Sequence, residues 1–124
     1  MKLLCLVLLL IPAIVQGGEK ECLSSILYAE ARGEPLEGIV AVGQTAISKA
    51  NREHTTVCGL KGVQRLTPNK NMIDYYVSLA HQLIIKPSTS ISRGADHWDV
   101  GRPHMPGYIT RHIGHHTFYI LKRH

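Results

Sequence analysis

Aromatic residues are scarce in this sequence: one Trp, one Phe and five Tyr make up 6% of its 124 residues. No run of Lys and Arg is interleaved with them, so the chain lacks the stacking platform that nucleic acid needs, and no nucleic-acid partner is expected. There is no internal repeat, no low-complexity tract and no sign of a second domain. Cysteine is limited to three positions, and no His-Glu-x-x-His element of the zinc hydrolases occurs. What remains is 44% hydrophobic and 19% charged, the balance of one ordinary globular unit.

The one long apolar run is at the start. Met1-Lys2 is followed by unbroken apolar residues from Leu3 to Ile11, then Pro12 and the permissive Val15-Gln16-Gly17. The run is too short for a membrane span, which takes about 20 residues, and no lipobox precedes Cys22. Residues 1–17 are therefore read as a secretory signal peptide, and residues 18–124 as one domain, exported to the periplasm or secreted, with no stable membrane anchor after cleavage. A monomer is expected. Cleavage removes Cys5 and leaves Cys22 and Cys58 in an oxidising compartment, either as one disulfide or as two unbonded thiols. The formal charge of +5, or +4 from side chains once Lys2 leaves with the signal peptide, draws such a protein toward anionic polymers or envelopes.

Periodicity predicts a helix over residues 20–32, punctuated by Gly33. Pro35 suits the first turn of a second helix, whose apolar face runs through Ile39, Val40, Ala46, Ile47 and Ala50. Residues 52–70 read as a long connection, and residues 71–85 as a third helix closed by Pro87. The last third has little period; Thr117–Leu121 reads as a short strand or half a helix.

In the first helix Leu23, Ile26, Leu27 and Glu30 fall at i, i+3, i+4 and i+7, which puts a carboxyl group on the apolar face. Burial disfavours its charged form, raises its pKa and suits it to donate a proton near neutral pH. The structural alternative is an ion pair with Arg32, Arg52 or another cation. Glu34, in the Gly-Pro corner, reads as an exposed charge at the start of helix two. Asp96 and Asp99 fall in the late loop, either as solvated charges or as an electrostatic partner for an oxocarbenium-like transition state. His97 and Trp98 lie side by side there; the indole offers a face to a sugar ring or caps the core.

Five ordered segments carry a resemblance: Tyr28-Ala29-Glu30-Ala31-Arg32-Gly33-Glu34, Gly38-Ile39-Val40-Ala41-Val42, Val57-Cys58-Gly59, Gly94-Ala95-Asp96-His97-Trp98 and Ile113-Gly114-His115-His116-Thr117-Phe118-Tyr119. Together they resemble the landmarks of the SleB-type cell wall hydrolases, the spore-cortex-lytic enzyme group, over about residues 24–121. The resemblance implies a mainly α (α+β), small lysozyme-like or lytic-transglycosylase-like domain that cuts the glycan strands of peptidoglycan, with Glu30 as acid and then base. It also implies Gln64, His97, Trp98, His116 and Tyr119 as substrate-binding residues, and neither metal nor organic cofactor. One carboxyl group suffices for a lytic transglycosylase, because the substrate's own 6-hydroxyl can attack the anomeric carbon. Ala29 stands where the family usually has Gly, and Arg65-Leu66-Thr67 follows Gln64 where a Gln-Phe-Ser type segment is usual.

Two other classes fit parts of the sequence. Of the eight histidines, His112, His115 and His116 would cluster on a helix, as a zinc-dependent peptidoglycan amidase or a metal-binding module requires. A non-catalytic wall-binding protein would keep the cleft without turnover.

Overall fold

The computed structural model describes residues 18–123; the signal-peptide reading of residues 1–17, and Cys5 with it, lies outside them. Among the described residues three helices are followed by a sheet: α1 (residues 18–31), α2 (Leu36–Arg52), α3 (Ile73–Ile85), β1 (His97–Val100), β2 (Gly107–Ile113) and β3 (His116–Leu121). None of the described helices is long and apolar enough to cross a membrane.

The helices follow the apolar spacing. Leu23, Ile26, Leu27 and Ala31 of α1 are fully buried and meet Ala41, Val42 and Ala46 of α2 in the core. Gly33 ends α1 with φ 86°, the left-handed conformation that only glycine adopts without strain. Pro35 precedes α2 as its N-cap, and its carbonyl accepts the Ile39 N–H. α3 buries only Tyr76 and Ala80, while Met72 and Ile73, counted on its apolar face from the sequence, are each 37% exposed.

The last third corrects the expected fold class. The chain is not a mainly helical, lysozyme-like domain but a small α+β protein, whose C-terminal part is a three-stranded antiparallel sheet of order β1-β3-β2. Thr117–Leu121 belongs to its central strand. Phe118 of β3 is fully buried against the helices and faces Trp98 of β1 across the ladder. β2 and β3 form a hairpin in which Ile113 pairs with His116 around Gly114-His115. Gly114 has φ 57°, and a Cβ there would lie 2.8 Å from the Glu34 carboxylate, so the turn and the approach both need glycine.

Side chains fix the connections. The Gln44 amide oxygen of α2 accepts the Ile91 and Ser92 N–H groups, each at 2.9 Å, and so ties the strand-bearing third to the helices. Residues 57–68 fold back along α1, where the Ser25 carbonyl accepts the Leu66 N–H at 3.0 Å. The Arg65 guanidinium donates to the carbonyls of Leu60, Val57 and Cys58 and stiffens that loop from within. Cys58 is disulfide-bonded to Cys22 of α1.

Candidate active site

α1 delivers Glu30 at its last turn, and the folded-back loop delivers the Gln64 backbone N–H, which donates to Glu30 Oε2 at 3.3 Å. β1 supplies the opposite components. Glu30, Lys49, Lys61, Gln64, His97, Trp98, Asp99, His104 and Tyr119 all line one cleft of about 490 Å³.

The cation partners foreseen for Glu30 are engaged elsewhere. Arg32 stacks over the Tyr28 ring at 4.6 Å, and Arg52 pairs with Asp96. No salt bridge among the described residues reaches Glu30. Burial raises its pKa above the ordinary carboxyl value, and the nearby Asp99 charge adds to the rise. The Gln64 N–H, the His116 ring and the Trp98 indole oppose it, and the net shift is upward. A carboxyl group held this way keeps a proton to give at a higher pH than a solvated glutamate does.

The remaining residues named from sequence divide. His97 is held by Asp96, whose Oδ1 lies 2.9 Å from the ring Nδ1, while its Nε2 faces Lys49 Nζ at 3.4 Å in the cleft. Trp98 is half-buried on the cleft wall. Tyr119 is 1% exposed, yet its hydroxyl reaches the cleft and donates to Asp99 Oδ2 at 2.7 Å. Burial and the Asp99 carboxylate push the Tyr119 phenol well up, so it stays a donor. Gln64 contributes its backbone N–H rather than an ordered amide contact.

His116 stands apart from the cleft lining. Its side chain is 2% exposed, and Nδ1 lies 3.1 Å from Glu34 Oε1 without the direction of a hydrogen bond, leaving both ring nitrogens unsatisfied. Glu34 is not the exposed charge that the sequence suggests. Its side chain is 7% exposed and accepts the His115 N–H at 2.7 Å and the His115 ring Nδ1 at 2.9 Å. Burial pushes the Glu34 pKa up, but the hydrogen bonds and charges of His115 and His116 outweigh it and hold the carboxyl below its ordinary value.

Asp96 is also structural. At 2% exposure it accepts from Arg52, His97 and the Leu121 N–H, and these partners overcome the burial that would raise its pKa and lower it instead. Asp99 is what sequence reasoning undervalued. Its place beside Trp98 was visible, but only the β1–β3 register, which sets Asp99 against Thr117 and His97 against Tyr119, brings it to the Tyr119 hydroxyl.

The histidines do not build the helical cluster that zinc would need. His112 and His116 lie on strands, with His115 in the turn between them, and His112 Nδ1 sits 2.9 Å from the Thr117 hydroxyl. Among the described residues, no group of three His, Cys, Asp or Glu side chains is arranged to hold a metal ion. Searches against protein-family models, curated proteins and solved structures return no match to this chain.

Proposed function

We propose that this protein cleaves the glycan strands of peptidoglycan, as a lytic transglycosylase or a muramidase-type hydrolase, with Glu30 as acid and then base. The observation that carries the reading is a half-buried carboxyl group with a raised pKa and, among the described residues, no salt-bridge partner, set in a cleft of about 490 Å³. The landmark segments that resemble SleB-type hydrolases support the same assignment, since the glutamate at position 30 is their catalytic position.

In this scheme the Glu30 carboxyl gives its proton to the bridging oxygen between N-acetylmuramic acid and N-acetylglucosamine. The bond to the anomeric carbon breaks, and its electron pair leaves with that oxygen. A hydroxyl group then attacks the anomeric carbon and returns its proton to Glu30. If the attacker is the sugar's own 6-hydroxyl the product is a 1,6-anhydro sugar; if it is water, a reducing end. Trp98 offers an apolar surface to a sugar ring, and His97 and Gln64 offer polar contacts beside it. Export by the N-terminal segment, and the net positive side-chain charge of +4 that remains when Lys2 is removed from the +5 of the full chain, would bring the protein to an anionic wall.

The test is mass spectrometry of soluble fragments after purified peptidoglycan is incubated with the protein, or with its Glu30→Gln variant, with and without a chelator. Disaccharide-containing fragments from the wild type and not from the variant are expected. Stem peptides that vanish with chelator would instead indicate a metal-dependent amidase, and binding without fragments a wall-binding protein.

A further inference from the structure

The cleft contains a second carboxylate that a single-acid scheme leaves unused. Asp99 of β1 lines the same space as Glu30, with its side chain 17% exposed. Oδ2 accepts the Tyr119 hydroxyl and the His104 backbone N–H, both at 2.7 Å, and the His104 ring Nδ1 lies 3.0 Å from Oδ1. The tyrosine ring comes from the central strand and is 1% exposed, so this donor is held by the core. A solvated loop aspartate needs no such clamp. No Lys or Arg forms a salt bridge with Asp99 among the described residues; Arg52 pairs with Asp96 and Lys49 with Glu53 instead.

We propose that Asp99 is the catalytic counter-charge of this cleft, facing the positive charge that forms on the sugar ring as Glu30 protonates the leaving oxygen, with Tyr119 and His104 as its positioning residues. The inference rests on the glycan-cleavage reading. As the glycosidic bond breaks, positive charge spreads over the anomeric carbon and the ring oxygen, and an ionised carboxylate held nearby stabilises it without forming a bond. The Tyr119 hydroxyl and the His104 backbone N–H draw charge away from the Asp99 carboxylate, which makes it a poor nucleophile and favours this electrostatic role over a covalent adduct. Asp99 also acts on the acid itself, since its negative charge helps keep the Glu30 proton in place. The other titratable groups at Glu30 or lining the cleft are His116 of β3, Lys49 of α2, Lys61 of the folded-back loop, His97 of β1 and His104.

Two readouts on Asp99→Asn and Tyr119→Phe test this, with folding checked by thermal unfolding. The first is fragment release from purified peptidoglycan; the second, independent of activity, is NMR titration of the Glu30 side-chain carboxyl carbon. Asp99→Asn should slow release by about 10²-fold and lower the Glu30 titration midpoint, because the neighbouring negative charge is gone. Tyr119→Phe keeps that charge, so it should slow release less and leave the midpoint from falling. A wild type that releases fragments, with Asp99→Asn equal to it in rate and midpoint, would overturn this inference alone. A wild type that releases none would overturn the glycan-cleavage reading and the role of Asp99 with it.

Discussion

At the scale of single residues, the same burial that makes Glu30 a usable acid makes it a burden on folding. Its raised pKa means that the folded state holds a proton which the unfolded chain has already released above about pH 4.3. The favourable contribution is complete below that unfolded value and is lost as the pH rises through the folded one. Glu30→Gln should therefore unfold at a higher temperature than the wild type at pH 7, with the difference closing below about pH 4, while activity falls by about 10²- to 10⁴-fold. A thermal unfolding series across that range checks the sign, and a variant less stable than the wild type at pH 7 would contradict the account. Glu30 was legible in the sequence because one carboxyl on an otherwise apolar helix face is a violation of pattern. Asp99 was visible only as one of two alternatives and Glu34 was misplaced as exposed, because the partners Tyr119 and His115 are brought to them by strand register and by a hairpin, contacts that no local spacing encodes.

Among the elements, the helices were legible and the sheet was not, for a physical reason. α1 buries one face and leaves a 3.6-residue rhythm, and α2, buried all round from Ala41 through Ala46, is still marked by Pro35 at its start, whereas β3 is buried from His116 through Tyr119 on both faces and so shows no alternation. β2 loses its period at the register shift between Ile109 and Arg111, where the Thr110 hydroxyl turns to the Ser92 carbonyl at 2.8 Å. The sheet is docked on the helices at the corner between α1 and α2, where Glu34 receives the β2–β3 hairpin through His115. Glu34→Gln removes a charged acceptor from these donors and should cost about 1–3 kcal/mol at neutral pH. Because the Glu34 pKa is depressed, its contribution is whole above the unfolded value of about 4.3 and is lost as the pH falls through the folded one. Denaturant unfolding of the variant against the wild type should show the gap at pH 7 and its shrinkage in acid; a constant gap would mean that the carboxylate charge is not what holds the hairpin.

Over the whole molecule, the pieces that make the cleft come from α1, the folded-back loop and β1, and two properties of the whole molecule bear on their use. One is the Cys22–Cys58 bond, with a sequence separation of 36. Closing a loop of that size should stabilise the fold by about 2–4 kcal/mol, so reduction should lower the denaturant midpoint without changing the slope in proportion. It should also reduce activity before global unfolding, because the Gln64 N–H reaches Glu30 from the loop that this bond anchors. The other whole-molecule property is charge. With 14 Lys and Arg against 9 Asp and Glu, the attraction to an anionic wall that the proposed function calls for would act over distances set by the Debye length, about 10 Å at 0.1 M salt and about 3 Å at 1 M. Co-sedimentation of the Glu30→Gln variant with purified peptidoglycan separates this attraction from turnover: the bound fraction should fall steadily as salt rises through that range. Binding that stayed unchanged at high salt would place the affinity in the cleft, in the apolar and hydrogen-bonding contacts of Trp98 and His97, rather than in the field of the molecule.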